Sequence, residues 1–125
     1  VTVSAKPSGN VDSGPALFET GAFNGYTFSN YTGSDLFIFR VDSGSFTNLG
    51  SQAGIAVVAT DVLRLRRSGG NVIGSLNGAD VVTVSDSTYT SVVPAIFCYD
   101  GVCSVDDWTD GTSSFLPRSM LMGVG

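Results

Sequence analysis

Few side chains of this 125-residue sequence could do acid–base or nucleophilic chemistry. The sequence contains no His, a single Glu (Glu19) and two Cys. Without His, a Ser–His–Asp relay is excluded, and a Cys nucleophile lacks its usual base. Glycoside hydrolysis needs a protonated and an ionised carboxyl group, and Glu19 has no acidic residue at the alternating positions around it. The sequence therefore predicts a protein that is not an enzyme and needs no cofactor.

Three carboxylates near the end of the sequence offer oxygen ligands for a metal ion. In SVDDWTDG, Asp106, Asp107 and Asp110 stand close together, and Ca²⁺ prefers such ligands. Their spacing does not match an EF-hand loop, and Asp beside Gly is also ordinary in turns. The three residues therefore form either a calcium site or an ordinary turn that binds no metal.

Aromatic side chains beside Asn or Asp are the residues that would recognise a glycan, since rings stack on sugar faces while amides and carboxylates bind hydroxyls. Most aromatic residues of a small β-protein belong to its core instead. Tyr31 beside Asn30, and Tyr89 in the polar stretch SDSTYTS, are the aromatic residues most expected to be exposed. With Trp108, these residues form the predicted ligand-binding set.

Two cysteines flank Asp100–Gly101, a dipeptide that favours a tight hairpin turn. If these residues form the turn between strands 95–99 and 102–108, Cys98 lies opposite Cys103 in a closely spaced antiparallel pair. A cross-strand disulfide is then possible. The alternatives are two free thiols or a strained, labile bridge, and a zinc site is improbable with only two thiols and no His.

The composition is that of an all-β protein. Glycines are numerous, at 16, whereas the residues that long helices need are scarce. The net charge of −5 argues against nucleic-acid binding, which requires a basic face. No apolar run approaches the ~20 residues of a membrane-spanning helix, so membrane insertion is not expected.

Residues 62–86, VLRLRRSGGNVIGSLNGADVVTVSD, predict a ladder of short strands. Leu63 and Leu65 alternate with Arg64 and Arg66, and Arg67 is expected to open the next turn. This basic cluster fits a solvated outer face better than an anion site. Asn77–Gly78 is the strongest hairpin signal in the chain. A two-residue turn there predicts the cross-strand pairs Leu76 with Ala79, Ser75 with Asp80 and Ile73 with Val82.

Two other segments differ in how firmly they can be assigned. The continuous apolarity of LFIFRV (36–41) favours a strand covered on both faces. AGIAVVAT (53–60) fits a short helix and a loose strand equally well.

Three stretches together resemble the concanavalin A-like lectin/glucanase superfamily, in particular its laminin-G-like bacterial and phage branch. They are NGYTFSNY…DLFIFRVDSGSFTNLGS, DVLRLRRSGGNVIGSLNGADVVTVSDSTYTS and PAIFCYDGVCSVDDW, which fall within residues 24–110. The resemblance implies an antiparallel two-sheet jelly-roll sandwich. It also implies a strand before VTVSAK that is missing here, which would leave a sheet edge unpaired.

The last stretch, SSFLPRSMLMGVG (113–125), departs from the strand pattern. We expect a β-sandwich domain over residues 1–112 followed by this apolar tail, which would dock within its own chain or on a neighbouring subunit. The tail could also fill the unpaired edge. Its predicted assembly residues are Phe115, Leu116, Met120, Leu121 and Met122.

The sequence favours a non-catalytic structural or decoration module of a phage virion or another extracellular surface assembly. Such a module would act through contacts with neighbouring protein subunits, as a homo-oligomer or bound to a particle. The alternative is a carbohydrate-binding, lectin-like module or adhesin domain with glycan partners. Both place the protein on a virion or outside the cell.

Overall fold

The computed structural model describes residues 2–7, 13–30, 34–58, 60–98 and 105–109, and these residues form an all-β structure. Its strands are β1 (Thr2–Pro7), β2 (Ser13–Phe18), β3 (Gly25–Ser29), β4 (Asp35–Asp42), β5 (Ser45–Ala53), β6 (Leu63–Ser68), β7 (Asn71–Leu76), β8 (Ala79–Ser85), β9 (Val93–Cys98) and β10 (Val105–Thr109).

The strands form two antiparallel sheets of five, packed as a β-sandwich. The first sheet has the order β10-β1-β6-β7-β8, and the second has the order β5-β4-β3-β2-β9. β1 and β6 lie over β2, while β8 lies over β4 and β5. β1 is paired on both sides, by β10 and β6, so the first strand is not a free edge. The predicted two-sheet antiparallel fold is confirmed.

The loops gather at the two ends of the sandwich. At one, here called the Asp86 end, lie residues 19–24, 43–44, 69–70 and 86–92. Backbone hydrogen bonds from Gly44 to Phe23 and from Asp86 to Gly70 tie these loops together. At the opposite end, here called the Asn77 end, lie residues 54–58, 60–62 and 77–78. Each end thus brings together side chains that are far apart in the sequence.

The core lies between the two sheets and is built from alternate residues of the facing strands. Leu63 and Leu65 point inward from β6 while Arg64 is exposed, as the alternation predicts. They pack with fully buried Leu17, Tyr26, Phe28, Leu36 and Ile38 of the second sheet. Each of these strands therefore turns one apolar face toward the space between the sheets.

Glycine is required in the core at residue 74. A Cβ there would lie 2.5 Å from Cε1 of the Phe28 ring, closer than carbon atoms approach. The ring of Phe28 thus occupies the space that a side chain at residue 74 would need, and the two sheets pack closely at this point.

The β7–β8 hairpin turns at Asn77 and Gly78, as predicted, with φ values of 51° and 90°. Leu76 is paired with Ala79 and Ser75 with Asp80, but the predicted pair of Ile73 with Val82 is wrong. A bulge between Gly74 and Ser75 shifts the register, so Ile73 faces Thr83. An extra residue in one strand causes such a shift, and a turn signal does not reveal it.

The predicted hairpin between the last two strands is also wrong. β9 pairs with β2 in the second sheet, and Cys98 lies opposite Ser13. β10 pairs with β1 in the first sheet. The chain between them therefore crosses from one sheet to the other, and residues 99–104, including Cys103, lie outside the described residues. The disulfide of Cys98 and Cys103 stays a prediction.

Several smaller expectations are also resolved. β4 has apolar neighbours on both faces, because Leu36 and Ile38 enter the core while Phe37 and Phe39 stack at 5.4 Å on the other side. Residues 54–58 form neither a helix nor a strand. Arg67 lies within β6 and does not open the turn. Within the described ranges, no helix is long and apolar enough to cross a membrane.

Candidate functional site

A network of polar side chains closes the Asp86 end of the sandwich. It joins Tyr26 of β3, Arg40 and Asp42 of β4, and Asp86 and Tyr89 of the loop after β8, and is called the end cluster below. Tyr26 and Arg40 are direct cross-strand partners, so their side chains share one face of the sheet. Asp42 follows on that face two residues later.

Asp86 is the centre of the network. Its Oδ1 accepts hydrogen bonds from the Tyr26 hydroxyl at 2.6 Å and from the Thr88 amide at 2.9 Å. Its Oδ2 accepts one from Nη1 of Arg40 at 2.8 Å. Only 9% of its side chain is exposed. A nearly enclosed carboxylate is stable in a protein only with such partners.

Asp42 is the accessible member of the cluster. Its Oδ2 accepts a hydrogen bond from Nε of Arg40 at 3.1 Å, and its Oδ1 accepts one from the Tyr89 hydroxyl. Even so, 38% of its side chain is exposed. Arg40 therefore bridges an enclosed carboxylate and an open one, and holds the open one in place.

Tyr89 is fixed from three directions. Its ring packs edge-to-face on that of Tyr26, with centroids 6.1 Å apart, and its amide donates to the Tyr26 hydroxyl at 3.2 Å. Its carbonyl accepts a hydrogen bond from Nε of Arg67 at 3.0 Å. Arg67, which the sequence assigned to the solvated basic cluster, thus holds the loop of the end cluster.

Hydrogen bonding sets the ionisation of the cluster. Burial alone would raise the pKa of Asp86, but the hydrogen bonds from Tyr26, Thr88 and Arg40 outweigh it and lower the pKa to about 2. Hydrogen bonds from Tyr89 and Arg40 lower the pKa of Asp42. Both carboxyl groups are therefore ionised at neutral pH.

The two tyrosines shift in the opposite sense. Burial, and then the hydrogen bond to Asp86, raise the pKa of Tyr26 to about 12. The hydrogen bond to Asp42, and then burial, raise the pKa of Tyr89 to about 12. Both hydroxyls therefore stay protonated and donate to the carboxylates. The cluster offers fixed donors and acceptors, without a group poised to exchange a proton near neutral pH.

The four ligand residues predicted from the sequence are not gathered in the end cluster. Tyr89 belongs to it. Asn30 lies toward the opposite end and is 1% exposed, and its role in ligand binding stays a prediction. Its amide donates to the carbonyls of Asp35, at 2.8 Å, and Ile55, at 3.0 Å, which ties β4 to the segment after β5. Tyr31 lies outside the described residues, and Trp108 lies on β10.

The other predicted site residues are not tested. Asp106 and Asp107 lie on β10, while Asp110 lies outside the described ranges, so calcium binding there stays a prediction. In the described part of the chain, no three His, Cys, Asp or Glu side chains are placed to bind a metal ion. The five predicted assembly residues, between Phe115 and Met122, also lie beyond that part.

Sequence reasoning missed Arg40, Asp42 and Asp86. A partial signal existed in FRVDSG, where Arg40 and Asp42 alternate at the end of a strand, and in SDSTY, where Asp86 opens a polar loop. The hydrogen bond that joins Tyr26 to Asp86 spans 60 residues, and no local pattern indicates that pairing.

Comparison with known proteins supports the architecture. No family model matches the sequence, and no curated protein matches it either. Among solved structures, the fold is similar to that of the carbohydrate-binding module CBM66 from Bacillus subtilis, with a TM-score of 0.59 and 14% identity over 78% of this chain and 71% of that one. At this identity the likeness shows a shared β-sandwich fold. The concanavalin A-like assignment stays a prediction.

Proposed function

We propose that this chain is a non-catalytic carbohydrate-binding module and that a glycan binds at the end cluster. The observation that carries the proposal is Asp42, an exposed carboxylate held by Arg40 and Tyr89. The similarity of the fold to a carbohydrate-binding module supports it. The resemblance of the sequence to the lectin/glucanase superfamily points the same way.

The chemistry of the cluster suits neutral sugars. Each sugar hydroxyl is both a donor and an acceptor, so a carboxylate and a guanidinium side by side can bind two neighbouring hydroxyls. A carboxylate has about four lone-pair sites, and Asp42 uses two of them in the contacts described above. Because Asp42 is already ordered, binding costs little side-chain entropy.

The same electrostatics argue against glycoside hydrolysis at this site. Hydrolysis requires one carboxyl group that keeps its proton until it is donated to the leaving group. Asp42 and Asp86 both have lowered pKa values, and Arg40 stabilises the ionised form of each through a hydrogen bond. The cluster can hold a sugar but lacks the acid that would cleave its glycosidic bond.

The sequence first favoured assembly in a phage virion or another surface structure, and the fold neighbour gives that role no support. Its name supports the carbohydrate-binding alternative instead. An extracellular or virion-surface location stays a prediction under either function.

Asp42→Asn tests the proposal. The purified chain is first applied to a glycan array, and a positive glycan is then titrated by calorimetry. Asp42→Asn removes the negative charge of the carboxylate that accepts hydrogen bonds from the sugar hydroxyls. We therefore expect the affinity for the glycan to be about 10- to 100-fold weaker. Absence of binding across a broad array, or equal affinity of Asp42→Asn and the unmodified chain, contradicts the proposal.

Asp80→Asn is the matched control. Asp80 is also an exposed carboxylate, paired with Arg66 at 2.9 Å, and hydrogen bonds from Arg66 and Ser75 lower its pKa to about 2. It lies on β8 of the first sheet, outside the end cluster. Glycan affinity should be unchanged in this variant, which separates a local effect from general loss of charge.

A further inference from the structure

The dipeptide Asn-Gly occurs twice in the sequence, at Asn24–Gly25 and at Asn77–Gly78. In this dipeptide the backbone nitrogen after the asparagine is least hindered, because glycine has no Cβ, and the nitrogen can attack the asparagine side chain. The structure places the two dipeptides in different surroundings. They can therefore be compared as sites of one chemical modification.

The modification is deamidation, and water is its only co-reactant. The backbone nitrogen of the glycine attacks Cγ of the asparagine. A bond between that nitrogen and Cγ forms, the bond between Cγ and Nδ2 breaks, and ammonia leaves with the proton of the glycine amide. Water then opens the succinimide ring at either of its carbonyls. The product is an aspartate or an isoaspartate, whose backbone contains an additional methylene group.

The dipeptide of the β7–β8 turn is open to this reaction. Asn77 and Gly78 are both exposed, and a Cβ at Gly78 would have no atom within 4 Å, so the ring has room to form. The backbone must rotate at Asn77 to bring the nitrogen to Cγ, and a hairpin tip can open locally while the sheet stays folded. The Val62 amide donates to Oδ1 of Asn77 at 2.8 Å, and it can stabilise the negative charge that this oxygen acquires during the attack.

The other dipeptide is closed to the reaction. Gly25 belongs to β3, which lies between β2 and β4, and it is paired with Phe18 on one side and with Val41 on the other. A Cβ at this residue would overlap the carbonyl oxygen of Leu17. The Gly25 nitrogen can therefore reach the Asn24 side chain only if the second sheet opens, which requires more free energy than the opening of a turn.

Deamidation would place a negative charge where the structure holds a neutral amide. Nδ2 of Asn77 donates to Oδ1 of Asp61 at 2.9 Å, and Oδ2 of Asp61 accepts a hydrogen bond from the Val58 amide at 2.9 Å. A carboxylate at residue 77 has no hydrogen to donate, so two negative charges would face each other across this contact. The repulsion would weaken the contact between the turn and the residues that lead into β6.

We propose that Asn77 is a site of spontaneous deamidation in the folded protein, and that its conversion to a carboxylate loosens the Asn77 end of the sandwich. Asp61 is the residue through which the modification lowers stability. The end cluster lies at the opposite end, so the inference is independent of the proposed glycan binding.

Ageing of the purified full chain tests the site. Folded and guanidinium-unfolded samples are incubated at mildly alkaline pH, and the conversion of amide to acid is followed in each peptide by mass spectrometry. In the folded chain we expect Asn77 to react at least about 10-fold faster than Asn24. In the unfolded chain the two rates should become similar. An unreacted Asn77 in the folded chain, equal rates there, or the same difference after unfolding would each overturn the inference.

Asn77→Asp reproduces the charge of the product and tests its effect on stability. We expect the melting temperature to fall by about 3–6 °C. In the double variant with Asp61→Asn, an amide again faces a carboxylate, so most of the loss should be recovered. Asp61→Asn alone completes the comparison and isolates the interaction between the two residues. If Asn77→Asp is as stable as the unmodified chain, or if the double variant recovers nothing, the inference is wrong.

Discussion

At the scale of single residues, one arginine decides the electrostatics of the Asp86 end. Arg40 donates to both Asp42 and Asp86, so one cation pairs with two carboxylates and the three groups keep a net charge of −1. The tyrosine hydroxyls supply the remaining hydrogen bonds. Because a nearly enclosed charge without partners is costly, substitution of any one residue of the end cluster should weaken the hydrogen bonds of the remaining residues.

The lowered pKa of Asp86 predicts a dependence of stability on pH. The group titrates near pH 4 in the unfolded chain and near pH 2 in the folded one, so its contribution is complete above about pH 4 and is lost as the pH falls toward 2. Allowing for screening by solvent, we expect the loss to be about 1 to 2 kcal/mol. Urea unfolding between pH 2 and 6 measures it.

Asp86→Asn should be less stable at neutral pH and should lose most of this dependence. Asp80 also has a pKa lowered to about 2, but its side chain is 48% exposed. Added salt should therefore weaken the contribution of Asp80 to the pH dependence of stability and leave the contribution of Asp86 largely unchanged. An unchanged pH profile in Asp86→Asn would contradict the assignment of this dependence to the end cluster.

Gly74→Ala tests the contact between the sheets. The added methyl group would overlap the Phe28 ring, so we expect a loss of about 1 to 3 kcal/mol of unfolding free energy. Gly70→Ala is the matched control, because the nearest atom to a Cβ there is Oγ of Ser87 at 3.7 Å. Chemical denaturation compares the two variants, and equal stabilities would mean that the Phe28 ring moves aside without cost.

At the scale of elements, the β7–β8 turn is hydrogen-bonded to the residues that lead into β6. Asn77 accepts a hydrogen bond from the Val62 amide at 2.8 Å through Oδ1, and its Nδ2 donates to Asp61 at 2.9 Å. The same residue adopts the positive φ that the turn requires. One side chain thus shapes the turn and anchors the entry to β6.

Two substitutions separate these roles of Asn77. Asn77→Gly keeps the positive φ and loses the side-chain hydrogen bonds, which should cost about 1 kcal/mol. Asn77→Ala loses both, and we expect a further ~1 kcal/mol because Cβ disfavours that conformation. Denaturant unfolding measures the difference. If the two variants were equally stable, the turn would not depend on its left-handed conformation.

At the scale of the whole molecule, local patterns predicted the elements well and their partners less well. Alternating Leu and Arg in β6 and the Asn77–Gly78 dipeptide specify strands and a turn through short-range sterics. Asp100–Gly101 carries the same kind of signal, yet β9 and β10 belong to different sheets. A turn-forming dipeptide has the same local propensity whether or not the flanking strands pair.

The candidate site was predictable only in part, for a related reason. Tyr89 stands in a polar loop, and that composition indicated exposure. Asn30 shares this polarity but serves as a buried clamp between β4 and the segment after β5. The arrangement of Tyr26, Arg40 and Asp86 depends on how the sheets stack, which involves residues more than 40 positions apart.

The position of β1 between β6 and β10 has a consequence for how the protein is made. A chain emerging from the ribosome presents its first strand long before either neighbour has been synthesised. The first sheet is complete only after the residues of β10 have left the ribosome. Until then β1 lacks one of its two neighbours, although β6 is available to it earlier. Such pairing between distant segments of the sequence slows folding.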